Sequence, residues 1–403
     1  MMAARRSART ASRPIGLLAP AVVSAVAYVD PGNFATNVSA GSQYGYLLVW
    51  VVVASSAIAM LVQYLSAKVG IVTGVGLAAI CRERYPRTAA RLLWVQAEIV
   101  AIATDLAEIV GGAIALYLLF DLPLLVGGLI TGIVAFGMLT LRRRGVRVFD
   151  SVVVGLLAII LIGFVVDALM AGIDPPAILG GLVPRVTDTN SVLLAVAMIG
   201  ATVMPHAIYL HGGLTGMHRR PEADPAAQLR IQRVYVVMAL SGAGVMNLLL
   251  LVIAAAALSG RGIDTIEGAH AGIAATLGSG AALLFALALL ASGLASSSVG
   301  TLAGQVVMDG FIQRRIPDVV RRLITLAPAL AILASGVDPT RALVLSQVVL
   351  SFGIPFALVP LVQFTASRTV MGPYVNRRIT TIAGIICAAV VIALNVVLIA
   401  LAF

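Results

Sequence analysis

A long apolar run from Ile15 to Ala40 is interrupted near its centre by Asp30-Pro31-Gly32-Asn33. The run is long enough to cross a bilayer, yet a membrane-crossing helix has no use for those four residues. Pro31 removes a backbone donor and clashes with the preceding turn, and Gly32 loosens what helix remains. The interruption frees carbonyls around Ala27 to Asp30 and amides just after them, beside a carboxylate and a carboxamide. In hydrocarbon such backbone is tolerated only where it is buried in protein or lines a cavity. The stretch therefore calls for a folded chain around it and for something polar to bind.

The rest of the chain supplies that setting. Of its 403 residues, 60% are hydrophobic and 11% charged, and the mean hydropathy is +1.05. A soluble globular protein is excluded at that composition. Apolar runs of spanning length number eleven, at roughly 15–40, 46–68, 92–119, 122–141, 151–171, 191–214, 233–259, 272–307, 323–337, 341–366 and 379–402. The expected fold class is an all-α membrane protein. Arg5, Arg6, Arg9 and Arg13 ahead of Ala25-Val26-Ala27 resemble a cleavable signal peptide, but the apolar run continues through the break, so the segment is read as a retained span.

Charge placement sets the orientation. With a cytoplasmic N-terminus, 24 of the 27 Lys and Arg residues fall on the inner side, and only Arg185, Arg261 and Arg341 fall outside. This bias puts a multi-pass chain in a cell membrane with the C-terminus outside. It also accounts for the net charge of +10 without nucleic acid, since anionic lipid is partner enough. Asp121, Asp167, Asp174, Asp188, Asp264, Glu267 and Asp338 fall in or beside outer loops, where they would draw cations or merely be solvated. Cys81 and Cys387 form no metal or disulfide spacing, so no redox cofactor is expected.

A second break lies in the sixth span, where Pro205 follows Met204 and precedes His206. Broken spans at positions one and six imply two five-span repeats, 15–171 and 191–366, with 379–402 left over, all in one transmembrane domain of residues 1–402. An odd number of spans per repeat forces the second copy to insert upside down, the layout of secondary transporters whose broken helices meet at a midplane site. Asp30 offers hard oxygen, Asn33 an amide oxygen, the unwound turns carbonyls near Ala27 and Ala201, and Met204 a thioether. Sulfur among oxygens favours Mn2+, Fe2+ or Cd2+ over alkaline-earth ions, although Met is also a common packing residue. His206 is assigned a proton-handling or structural role.

In the third span Glu98, Asp105 and Glu108 are spaced by seven and three residues, on one helical stripe. They read either as a proton relay or as a buried salt-bridge network. Ser296-Ser297-Ser298 reads as close helix packing, and no nucleophile–base arrangement appears, so an enzyme is not expected.

Asp30-Pro31-Gly32-Asn33 and Met204-Pro205-His206 together resemble the paired signatures of the Nramp family of proton-coupled Mn2+/Fe2+ transporters, which have the LeuT-type fold. Gln63-Tyr64-Leu65-Ser66-Ala67-Lys68, Asp105-Leu106-Ala107-Glu108, Thr301-Leu302-Ala303-Gly304-Gln305 and Ser346-Gln347 extend the resemblance, while Gly212-Gly213 departs from it. The resemblance implies Asp30, Asn33, Met204 and the Ala201 carbonyl as metal ligands, joined in particular states by the Ala27 carbonyl or Gln347. It also implies that Arg321 and Arg322 pair with the acids of the third span; taken alone, those two are simply positive-inside residues. Retention of Met204 points to the transition-metal branch rather than to the family's Mg2+ carriers. Divalent metal ions and protons are the expected partners, with no resident cofactor. Nothing in the sequence sets an oligomeric state, and a monomer suffices for such a site. The competing reading is an amino-acid symporter of the same architecture, in which a half-helix N-terminus receives a carboxylate; the charge of Asp30 opposes it. A non-transporting receptor or scaffold leaves both breaks unexplained.

Overall fold

A computed structural model describes residues 18–402 apart from 145 and 314–316, and the regular secondary structure among them is helical. The first broken span is α1 (Leu18–Ala27) and α2 (Pro31–Tyr44), followed by α3 (Val49–Thr73), the short α4 (Leu77–Arg84), α5 (Arg87–Phe120), α6 (Leu124–Arg144) and α7 (Val146–Met170). After a short α8 (Pro175–Gly180) comes the second broken span, α9 (Thr189–Thr202) and α10 (Pro205–His218). Then follow α11 (Pro225–Leu258), α12 (Ile266–Leu277), α13 (Ser279–Phe311), α14 (Asp318–Ser335), α15 (Pro339–Thr365), the single turn α16 (Arg368–Met371) and α17 (Arg378–Ala402). Among the described residues seven candidates are long and apolar enough to cross a membrane: α3, α5, α9 with α10, α11, α13, α15 and α17. The other four expected spans coincide with α1–α2, α6, α7 and α14, which are broken or have shorter apolar stretches. The start of the first span, Arg5, Arg6, Arg9, Arg13, Arg314 and Arg315 lie outside the described residues, as do the side chains of Arg142, Arg143, Arg144, Arg147 and Ser298.

Four helix starts follow one local rule. Asp30-Pro31, Asp174-Pro175, Asp224-Pro225 and Asp338-Pro339 each place Asp at the N-cap and Pro at the first helical position. The carboxylate accepts backbone N–H groups that the helix leaves unpaired, and Pro has no N–H to waste there. Three of these starts carry their Asp exposed, and the fourth, Asp30, is fully buried. At α9 the exposed Asp188 forms a capping box with Ser191; the Ser191 backbone N–H and the Tyr44 hydroxyl hold its carboxyl below the ordinary carboxylate range.

Two expectations need correction. The run 272–307 is not one span: Gly278, in the left-handed region at φ 97°, separates α12 from α13. A residue without Cβ takes that conformation freely, so the run turns at Gly278-Ser279-Gly280. Asp167 is not at an outer loop but buried within α7, one turn beyond Phe164, on a helix packed along α13.

Packing pairs the elements in a regular way. α1 lies against α10 and α2 against α9; α11 packs on α2 as α3 packs on α10, and α15 on α5 as α7 on α13. α5 and α13 form the most extensive pair. Small residues let these helices approach closely. A Cβ on Gly70 of α3 would run into the backbone of Gly212 and lie 2.7 Å from the Gly216 nitrogen of α10. We expect Gly70→Ala to lower stability by about 1–3 kcal/mol through overpacking. Gly242→Ala on α11, with open space around the new Cβ, is expected to be neutral or to raise stability by up to about 1 kcal/mol. Thermal unfolding of the detergent-solubilised protein compares the two, and equal losses would remove the close-approach argument.

Candidate functional site

The first break is built by tightening and then restarting a helix. Tyr28 and Val29 donate to Ala25 and Val26, three residues back, at 3.0 and 3.1 Å, and α2 restarts at Pro31. The freed carbonyls are shared out among neighbouring helices. Asn247 of α11 donates its amide to the Tyr28 carbonyl at 2.9 Å, and the Ser292 hydroxyl of α13 donates to that of Val29 at 2.8 Å. The Ala27 carbonyl takes no hydrogen bond from the described residues.

Asp30 and Asn33 face the second break. The Asn33 backbone N–H donates to Asp30 Oδ1 at 2.9 Å, and Asn33 Nδ2 donates to the same oxygen at 2.7 Å. The same Nδ2 donates to the Ala201 carbonyl at 3.0 Å, in the last turn of α9. The Thr202 hydroxyl, within 2.8 Å of the Met198 carbonyl, also lies 3.3 Å from Asn33 Oδ1. One primary amide thus bridges a carboxylate and a backbone carbonyl from two different broken helices, placing its partial positive charge between two oxygens. Asp30 Oδ2 is buried and accepts no hydrogen bond.

Met204 occupies the gap between α9 and α10 and is buried, with its carbonyl accepting from Ile208 at 3.3 Å. Gln347 of α15 is buried against the same break, and its Oε1 has no hydrogen-bond partner. Its approach depends on two glycines. A Cβ on Gly32 would strike the Gln347 side chain, and one on Gly200 would strike the Gln347 backbone carbonyl. Asp30, Asn33, Ala201, Met204, Gln347 and Ala27 are all shielded from the surface. Among the described residues no three His, Cys, Asp or Glu side chains gather as a metal cluster, so a cation here would rely on one carboxylate with neutral oxygen and sulfur donors.

The acids of α5 form a separate row against α13 and α14. Glu98 Oε2 lies 3.5 Å from Arg321 Nη2, and Asp105 Oδ1 lies 3.3 Å from Arg322 Nη1. Arg322 also donates to the hydroxyls of Thr301 and Ser297, so Ser297 serves an ion pair rather than only close packing. Glu108 is buried with Oε2 unpartnered. A Cβ on Gly300 would lie 2.8 Å from Glu108 Oε1 and 3.3 Å from Asp105 Oδ1, so both carboxyls converge on that glycine. His206 is buried at the start of α10, with Nδ1 3.2 Å from the hydroxyl of Thr104, the neighbour of Asp105. Thr104 directs its single hydroxyl proton to the Val100 carbonyl, which makes His206 Nδ1–H the donor.

Sequence reasoning passed over Thr104, Thr202, Asn247 and Ser292. It also passed over a buried chain that runs from Tyr28 through Gln63 and His211 to Gln232 at 2.7, 2.9 and 2.8 Å. Their signal was present as polar residues in apolar helices: Tyr28 and Thr202 beside a break, the others within continuous helices.

Residues 21–401 match the sequence profile of the family described as natural resistance-associated macrophage protein-like, Nramp. The chain belongs to the Nramp family. Its Nramp relatives include the divalent metal cation transporter MntH of Mycobacterium tuberculosis, 55% identical over 389 residues that cover 95% of this chain and 91% of the relative. The crystal structure of the Eremococcus coleocola manganese transporter, in complex with an aromatic bis-isothiourea compound, is similar at a TM-score of 0.84 and 33% identity, covering 95% of this chain and 85% of that one. Mhp1, a nucleobase-cation-symport-1 family transporter, is similar at a TM-score of 0.63 and 14% identity, over 95% of this chain and 92% of that one. At that identity the likeness concerns the fold alone, and it makes this Nramp chain an all-helical membrane protein of the LeuT type.

Removing the bridging amide tests the geometry directly. Asn33→Ala strands a buried carboxylate and is expected to cost on the order of 1–3 kcal/mol of stability. Asn33→Asp should cost at least as much in metal-free buffer, because two carboxylates then meet without a bridging donor. Added Mn2+ should recover more of the loss in Asn33→Asp than in Asn33→Ala. Equal recovery in melting experiments would contradict the bridging role.

Proposed function

We propose that this chain is a secondary transporter that imports divalent transition-metal ions, Mn2+ and Fe2+ with Cd2+ accepted, coupled to proton movement by alternating access. The observation that carries the reading is the Asn33 amide, hydrogen-bonded to Asp30 and Ala201 where the two broken helices cross. Its N–H groups occupy the position that suits a cation. A half-turn of the amide would present Oδ1 beside Asp30 Oδ1 and the Ala201 carbonyl, and Oδ2 of Asp30 is free to join. Met204 adds the soft donor, which favours transition metals over Mg2+ and Ca2+. Gln347 and the Ala27 carbonyl complete the proposed set of donors in particular states, replacing water as the ion is dehydrated.

Protons take a different row. In this reading Asp30 passes a proton by way of His206 toward Asp105 and Glu108, with Glu98, Arg321 and Arg322 continuing the row toward the cytoplasm. The ion pairs of Arg321 and Arg322 keep those buried acids compensated. An inward-negative potential favours a divalent ion by roughly 4.6 kcal/mol at 100 mV, so import with protons is energetically sound.

The reading also places eleven spans with the N-terminus cytoplasmic and the C-terminus outside, two inverted repeats over 15–171 and 191–366, and 379–402 as an added span. Exchange of α1–α2 with α9–α10, α3 with α11, α5 with α13 and α7 with α15 carries the pairs α1–α10, α2–α11 and α5–α15 onto α9–α2, α10–α3 and α13–α7, which supports the repeats. The chain acts as a transporter rather than an enzyme and holds no resident cofactor.

Liposome uptake tests the proposal. The wild type should take up Mn2+ in preference to Ca2+, Mg2+ and amino acids. Met204→Ala should retain part of the Mn2+ uptake while admitting more Ca2+ or Mg2+, and an unchanged selectivity would remove the thioether's role. Asp105→Asn should depress proton flux before metal uptake; equal loss of both would refute separate rows.

A further inference from the structure

At the arginine-rich end of the molecule lies a polar cavity that the proposed transport does not use. It has a volume of about 450 Å3 and is lined by Arg82, Arg87, Arg91 and Trp94, with Phe311 and Ile312 at its back. Arg82 comes from the last turn of α4, and Phe311 and Ile312 close α13. Arg87, Arg91 and Trp94 follow one another on a single face of α5 at four- and three-residue spacing.

The charges in this cavity are unequally engaged. Arg82 donates to the Gly310 carbonyl at 2.5 Å and lies 3.4 Å from the exposed Glu83. Arg87 and Arg91 are exposed and make no hydrogen bond or ion pair with the described residues. Trp94 donates its indole N–H to Glu98 Oε1 at 3.2 Å, which fixes the ring as a wall of the cavity. Two unengaged guanidinium groups beside a third that is held in place form a receptor for a planar or tetrahedral oxyanion.

The neighbouring face of α5 identifies the source of that anion. Leu92, Val95 and Ile99 are exposed by 67, 45 and 53% and form an apolar stripe leading from Arg91 toward the middle of the helix. Leu92 also lines a second cavity of about 450 Å3, almost wholly apolar, with Tyr85, Phe356 and Pro360. A free phosphate would use the arginines and ignore this stripe. A phospholipid uses both, because its headgroup and acyl chains are joined at the depth where Arg91 meets Leu92.

We propose that the pocket formed by Arg82, Arg87, Arg91 and Trp94 binds the phosphate of an anionic phospholipid from the leaflet on the arginine-rich side, with an acyl chain along Leu92, Val95 and Ile99. Basic pockets between helices at the cytoplasmic surface suit such headgroups. The lipid braces the junction of α4, α5 and α13, one turn from the Glu98–Arg321 pair.

The full chain is tested in nanodiscs of phosphatidylcholine alone and with about a quarter phosphatidylglycerol. Phosphatidylglycerol should raise the melting temperature of the wild type. The double variant Arg87→Gln, Arg91→Gln should melt like the wild type in phosphatidylcholine and lose at least half of the phosphatidylglycerol-dependent shift. Arg377→Gln with Arg378→Gln, exposed arginines away from the pocket, should keep the whole shift. Native mass spectrometry of the detergent-solubilised protein should count fewer retained phosphatidylglycerol molecules for Arg91→Gln than for wild type, a readout independent of melting behaviour. An equal shift or equal lipid count in wild type and pocket variants overturns the site. An equal loss in the Arg377 and Arg378 variant reduces it to general surface charge. Reproduction of the shift by soluble glycerol phosphate or inorganic phosphate overturns the lipid as its source.

Discussion

The structure depends on one constraint: a peptide group released from a helix inside hydrocarbon must find a partner within the protein. At the first break the carbonyls of Tyr28 and Val29 are met by Asn247 and Ser292, from helices remote in sequence. These two contacts fix where α11 and α13 must stand relative to α1. The surrounding bundle is thus as much a consequence of the break as a container for it. A straight first helix would need neither Asn247 nor Ser292 in an apolar setting, and would leave Asp30 without the turn that caps α2.

The local chemistry of the break is ordinary. Asp-Pro starts a helix at the surface three times in this chain, with the carboxylate drawing on backbone N–H groups. At Asp30 the same start is buried, and the difference lies in the competition for the carboxylate. Water meets the exposed carboxylates; at Asp30 only Asn33 does so, twice to one oxygen, leaving the other unpaired. Burial thus converts a capping residue into a group whose second oxygen has a large free-energy incentive to accept a cation or a proton.

Both breaks and the stripe of acids in α5 were legible in the sequence because each violates what a lipid-facing helix tolerates. The partners were not. Thr202, Ser292 and Thr104 are hydroxyl residues that membrane helices also use to satisfy their own carbonyls, as Thr202 does toward Met198, so their sequence signal matches that of plain packing. Asp167 sits near the end of a run, where sequence alone does not separate a loop from a last buried turn; packing of α7 on α13 decides it. Gly278-Ser279-Gly280 is a turn signal that counting the run by its length alone passed over. Gly200 and Gly300 were silent, and Gly32 was read only for its effect on the helix, since the role of all three is the absence of a side chain where Gln347 or the α5 carboxyls approach.

The polar groups around Asp30 and those around Asp105 differ in how they are held. Around Asp30 the hydrogen bonds come from one uncharged residue, Asn33, and stay local to the crossing of α2 and α9. Around Asp105 the contacts are ionic, and Arg322 reaches α13 through Thr301 and Ser297 as well as α5. Removing one partner of such a pair leaves a buried charge, which is far costlier than losing a neutral hydrogen bond. The α5–α13–α14 contact is therefore held by the stronger interactions. His206 joins the two, because it begins the half-helix α10 while its ring is bonded to Thr104 of α5. A movement of α10 away from α5 must break that bond, so the position of the half-helix and the surroundings of Asp105 change together.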